Sequence, residues 1–281
     1  MATVYIKPGT GTGTGTASDP YFYSQLSTAE TAAGADGTIL FTDGDYSLTA
    51  TAIWDGVGTS GNNITYKSEN IHGAVIKSNT SGTLRQMSVG ATGNTSTINV
   101  QNFKFVDVNF YIYNQGAGEV SGNLITCSTT ITLPSNGFFR ATGTGTTVFK
   151  NNSVHIRYAS GSYLCRELGR LGGFTGNTIF VSGLNGKSAN SVDRFTGTNE
   201  FSDGSSTTNN IWATDDTANN VIHTNVSWAG SVSNNCFHQF GSNNTSGGTD
   251  NVFADPQFID SAGDDLRLRP TSPCIGAGTA S

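Results

Sequence analysis

Charge is what this sequence has least of. Asp, Glu, Lys and Arg make up 12% of its 281 residues, about half the share found in ordinary globular proteins. The net charge is −6, so there is no basic stripe of the kind a nucleic-acid surface needs. No apolar run approaches the roughly 18 residues of a membrane-spanning helix. The opening Met1-Ala2-Thr3-Val4-Tyr5-Ile6 lacks the basic and apolar sections of a secretion signal. Cysteines are few: Cys127, Cys165, Cys236 and Cys274. None forms a Cys-x-x-Cys or a Cys/His cluster, so the zinc pattern is absent. Each sits beside apolar residues, and the expectation is buried free thiols packing as small hydrophobes. One disulfide is the alternative.

Glycine is abundant, with 36 residues, and Thr, Ser and Asn fill much of the rest. Disordered chains share that bias but lack regular aromatic and β-branched positions. Here 16 Phe and 9 Tyr stand among Ile and Val in short clusters. The chain therefore reads as folded, β-rich and dense in turns.

Those clusters repeat. The unit is a polar turn with one or two Asn, followed by a short alternating apolar strand. It occurs at Asn62-Asn63-Ile64, Gln101-Asn102-Phe103, Gly122-Asn123-Leu124, Asn151-Asn152-Ser153, Gly176-Asn177-Thr178, Asn209-Asn210-Ile211 and Asn234-Asn235-Cys236. The last Asn of successive copies is 39, 21, 29, 25, 33 and 25 residues from the one before. Asn tolerates the left-handed backbone of a sharp turn, and stacked Asn amides can hydrogen-bond along a ladder. Period-2 strands at this spacing, without helices between them, predict a solenoid of β coils. A β-sandwich is the competitor. The larger gaps predict an inserted loop or an unmarked coil.

The ends differ from the middle. Val4-Tyr5-Ile6 reads as a strand and Gly9–Thr16 as a flexible loop. Asp19-Pro20 predicts a helix start, with Phe22, Leu26, Ala29 and Ala33 on one face and Gly34 as its stop. Asp36–Leu48 predicts two short strands around a turn. At the other end, Asn251–Ser281 reads as the last coil and its cover, with Phe258, Ile259, Leu266 and Leu268 pointing inward. There Asp264 and Asp265 form a turn, and Pro270 and Pro273 block further pairing. The expected organisation is one all-β domain over 1–281: cap and first coil at 1–50, coils at 51–250, terminal coil and cap at 251–281.

In "SDPYFYSQLSTAETA", "DGTILFTDGDY", "ADPQFID" and "DDLRLRPTSPCIGAG" the chain resembles the right-handed parallel β-helix, or pectate-lyase-like, superfamily. Its virion members of the phage tailspike type are the nearest in character. The resemblance implies a single-stranded right-handed solenoid with an N-terminal capping helix. It extends to lyases, hydrolases, epimerases and tailspikes, so it implies a fold more than an activity. The closing segment often carries Asp after its Ser-Pro-x-Ile; Gly276 stands there instead.

Candidate chemistry is sparse. His155 and Arg157 alternate on one strand and so share a face; with Arg166, Glu167 and Arg170 they suit carboxylated sugars. Asp215 and Asp216 can share protons or hold a metal if they lie in a turn, with His223 nearby. Trp212 and Trp228 are candidates to stack on a sugar ring. Asp43 and Asp45 can offer oxygens to calcium, although a structural turn is the expected reading. Asp193, Arg194 and Glu200 read as a turn-stabilising ion pair. The sequence shows no Ser/His/Asp order, metal spacing or phosphate loop. No metal or cofactor is implied.

The expected function is a non-enzymatic phage virion protein: a fibre, spike or decoration module with surface glycans as a ligand. It would be virion-borne or extracellular and would associate as a trimer and with other virion proteins. The alternative is a polysaccharide lyase or glycoside hydrolase of the same fold.

Overall fold

The computed structural model describes residues 2–56, 63–91, 95–113, 116–135, 137–142, 146–161, 165–166, 171–184, 206–215, 232–239 and 249–278. Three parallel sheets run along a solenoid. The first sheet stacks Thr3–Lys7, Gly37–Phe41, Asn63–Ser68, Thr97–Gln101, Ala117–Ser121, Thr146–Lys150, Gly173–Thr175, Ser206–Thr208 and Val232–Ser233, with Tyr21–Phe22 at its edge. The second stacks Gly44–Leu48, Ala74–Ser78, Lys104–Val106, Leu124–Thr126, Ser153–Gly161, Thr178–Ser182, Ile211–Thr214, Cys236–His238 and Val252–Phe253, with Ile131–Leu133 beside Ser153–Gly161. The third holds Ala52–Trp54, Arg85–Val89, Val108–Tyr113, Phe139–Thr142 and Cys165–Arg166. The chain visits the sheets in turn, which makes the architecture a parallel β-helix, as the Asn turns predict.

Period-2 alternation sends every second side chain into the bore. In the second sheet Phe105, Ile125, Val154, Ile179, Trp212 and Phe237 lie in one register column. In the first, Ile39, Tyr66, Val100, Val120, Phe149 and Phe174 do the same. Rings stack along the axis: Phe149 on Phe174 at 5.2 Å and Phe174 on Trp212 at 5.3 Å.

The ladder of amides lies at the corner between these sheets. Asn152 Oδ1 accepts the backbone N–H (3.0 Å) and the Nδ2 (2.9 Å) of Asn123, whose Nδ2 also reaches Val100 O at 3.1 Å. Asn177, Asn210, Asn235 and Asn251 repeat the pattern. The residue before each member takes the left-handed turn, as Asn151 (φ 53°) and Asn209 (φ 59°) do. The ladder does not reach as far back as the sequence repeat suggests. Asn63 lies in a strand and donates to Asp36 at 2.7 Å. Asn102 turns the corner at φ 66°, but Phe103 follows it and packs its ring on Phe41 and Trp54. The 39-residue gap thus joins two different places on a coil and hides no extra one.

The N-terminal helix starts later than Asp19-Pro20 predicts. Tyr21 and Phe22 pair with Ile6 and Lys7 as strand, a 3-10 turn covers Tyr23–Gln25, and the α-helix is Leu26–Ala33. Asp19 instead receives the backbone N–H and the hydroxyl of Thr14, each at 3.0 Å. Ala29 and Ala33 face the core as expected, and Gly34 ends the helix at φ 65°.

The C-terminal segment departs more. Phe253 continues the inward column beyond Phe237 and is 58% exposed. Among the described residues that follow, the chain leaves this column for the side wall. Phe258–Asp260 and Asp265–Leu268 form an antiparallel hairpin. Leu266 packs outside the bore, against the outward-facing Phe180 and Ala213, with Phe258 beside it. Ile259 is 41% exposed. Cys236 and Cys274 are joined in a disulfide, which corrects the free-thiol expectation for that pair; Cys127 is free and buried. Gly276 takes φ 74°, a backbone in which glycine carries no Cβ penalty.

Candidate functional site

The strand Ser153–Gly161 is the floor of the site. Val154 and Ile156 point inward and are fully buried, so His155 and Arg157 point out of the solenoid together. They do not meet solvent as a basic cluster, because the hairpin lies across them. His155 is 1% exposed. Its Nδ1 lies 2.6 Å from Asp264 Oδ1, and its Nε2 lies 2.8 Å from Ser182 Oγ. An ionised carboxylate only accepts, so Nδ1 carries a proton, and in the neutral ring Nε2 is then the acceptor for the Ser182 hydroxyl.

Arg157 is as fully engaged. It donates to Thr126 Oγ1 (3.0 Å), the Cys127 carbonyl, the Ala262 carbonyl (3.1 Å) and Asp264 Oδ1 (2.8 Å). Burial works to raise the Asp264 pKa. Hydrogen bonds from His155 and Thr126 and the charge of Arg157 outweigh it and hold the carboxyl below its usual range. Asp264 is thus the clasp between hairpin and wall. No local signal marks it, since 109 residues separate it from His155 and 27 separate His155 from Ser182.

The hairpin divides the wall into two grooves. One, of about 600 Å³, is lined by His72, Lys104, Ser153, Thr178, Ile211 and the hairpin's Arg267, among others. Lys104, Leu124, Ser153, Thr178 and Ile211 are register partners on five successive rungs, and His72 adds a sixth. At about 4.8 Å per rung the groove runs some 24 Å along the solenoid. The other, of about 480 Å³, is lined by Asp215, His238, Gln239, Asp255, Gln257 and Arg269, among others.

Asp215 closes a turn: its oxygens accept the N–H groups of Gly183 (2.7 Å) and Leu184 (2.9 Å). Trp212 is corrected as a sugar-stacking residue, because it lies in the inward column at 1% exposure. The backbone of Arg166 pairs with Arg140 in the third sheet, away from His155. The Arg166 side chain lies outside the described residues, as do Glu167, Arg170, Asp193, Arg194, Glu200, Asp216, His223 and Trp228. Asp43 accepts from Asn70 at 2.9 Å, and Asp45 pairs with Lys77. Among the described residues no group of three His, Cys, Asp or Glu is placed to hold a metal, and no helix is long and apolar enough to cross a membrane.

No family model matches this chain, and no curated protein does. A solved structure titled "Crystal structure of pectate lyase Pel9A" is similar in fold, at 15% identity and a TM-score of 0.41, covering 100% of this chain and 92% of that one.

Proposed function

We propose that this chain is a virion-borne or extracellular β-helix module, of the fibre, spike or decoration kind, that binds a polysaccharide and cleaves no glycosidic bond. The observation that carries the reading is the groove from His72 to Ile211. It is long, open and parallel to the solenoid, and Lys104, Ser153, Thr178 and an exposed Arg267 paired with Asp265 share its lining with Leu124, Ile211, Leu266 and Leu268. A linear glycan fits such a track better than a compact ligand does. The low overall charge and the engagement of His155 and Arg157 in holding the hairpin favour binding over glycosidic-bond cleavage. Self-association into a trimer belongs to the same reading.

The test is calorimetric titration with neutral and carboxylated polysaccharides. Replacing Lys104 and Arg267 together by Ala is expected to weaken binding of a carboxylated glycan about tenfold. Unchanged affinity would place the ligand elsewhere, and a monomeric mass by light scattering would count against the trimer. One observation favours a glycosidase as second reading: Asp215 and Asp255 line the same groove, and hydrolases need two carboxyls across the scissile bond. New reducing ends, lost in Asp255→Asn, would establish it, whereas unsaturated products would indicate a lyase.

A further inference from the structure

Ser182, His155 and Asp264 stand in an order that does chemistry elsewhere than at a glycosidic bond. The carboxylate fixes the proton on Nδ1, and Nε2 is left facing a serine hydroxyl at 2.8 Å. Those are the roles of a nucleophile, its base and the group that orients the base. His155 is shielded by the hairpin, while Asp264, in the hairpin turn, and Ser182, at the end of its strand, are partly exposed. Register pairing puts Ser182 beside Arg157, and Phe180 and Asp215 near it line the adjoining groove. The backbone turns sharply after Ser182, at Gly183 with φ 88°. The next two N–H groups, of Gly183 and Leu184, converge on one carboxylate, that of Asp215. That carboxylate occupies both donors, so neither is free to hold an oxyanion while Asp215 is in place.

We propose that Ser182 is an activated nucleophile that removes acyl groups from ester-bearing carbohydrate. Ser182 Oγ attacks the ester carbonyl carbon and its proton passes to His155 Nε2. The bond to the sugar oxygen breaks, and the sugar leaves as the alcohol with that proton. Water, deprotonated by His155, then attacks the acyl-serine; the carboxylic acid departs and the Ser182 hydroxyl is restored. Because Asp215 holds the Gly183 and Leu184 donors, activated acyl and phosphonyl donors react faster than plain esters. The choice of a carbohydrate ester rests on the glycan reading above; the nucleophile does not.

The experiment treats the whole chain with a fluorophosphonate probe and, separately, with p-nitrophenyl acetate. The expected result is probe on the Ser182 peptide alone, ester hydrolysis about 100-fold slower in Ser182→Ala, and labelling at least about tenfold slower in His155→Gln. Circular dichroism establishes that both variants are folded. Absence of labelling under conditions that saturate a known serine esterase, or full hydrolysis by Ser182→Ala, overturns the proposal. Acetate release from an O-acetylated polysaccharide tests the substrate. Its failure beside success on the small ester overturns the carbohydrate assignment and leaves the nucleophile standing.

Discussion

Helix Leu26–Ala33 lies against the first coils, and hairpin Phe258–Leu268 lies along the side wall. Each is a non-repeating segment anchored by a carboxyl group, and the two groups are treated in opposite ways. Glu30 is 5% exposed and receives the Tyr66 hydroxyl at 2.5 Å. Burial raises its pKa, the Tyr66 bond offsets part of that, and the charge of Asp55 adds to the rise, giving about 7. Asp264 lies between His155 and Arg157 and is held below the usual range. A buried carboxyl without a cation is a good anchor only when neutral; one between two bases is a good anchor when charged. The first suits a permanent apolar cover. The second suits a polar clasp that can join a site.

The largest disruption of this contrast is Ala29→Asp, which buries a second acid under the helix beside Glu30. It should cost about 4 kcal/mol or more, read as a fall in Tm of roughly 10 °C. A smaller fall would mean that the helix lifts off easily and is no real cover.

Glu30→Gln sharpens the contrast. The folded pKa lies above the unfolded one, so the stabilising protonated state is complete below about pH 4.5 and is lost as pH rises through about 7. The variant should match the parent at pH 4 and exceed it by roughly 2–3 kcal/mol at pH 8. Equal unfolding midpoints in urea at pH 8 would contradict the buried placement of Glu30 against Tyr66.

Asp264→Asn should have the smallest global effect, about 1–2 kcal/mol, and a local signature. Its folded pKa is lowered, so its contribution is present above the ordinary Asp range and is lost as pH falls through the folded value. Hydrogen exchange at pH 7 should accelerate in the hairpin alone, with the gap to the parent closing in acid. Faster exchange throughout the solenoid would show that the clasp holds more than the hairpin.

Much of the fold was legible because a coil leaves its mark in every repeat. The left-handed corner at Asn151 or Asn209 selects its residue locally, and alternation at Val154 and Ile156 reports which side is inward. Phe103 shows where this fails, since an aromatic core contact takes the ladder position that follows the Asn102 turn. Asp19-Pro20 fails for another reason: strand pairing by Tyr21 and Phe22 overrides a good helix start. The site was half legible. Strand parity put His155 and Arg157 on one face, but nothing near them announces a cover arriving from the C-terminus.

By itself the sequence determined a charge-poor β solenoid, its Asn-marked corner, its inward apolar columns and its N-terminal helix. All of these follow from contacts between neighbouring residues or neighbouring coils. Tertiary structure alone decided that Trp212 faces the core, that the terminal segment runs along the wall, and that Ser182, His155 and Asp264 meet. Those outcomes depend on where a distant segment docks, and docking energy comes from a few side chains with no period to reveal them.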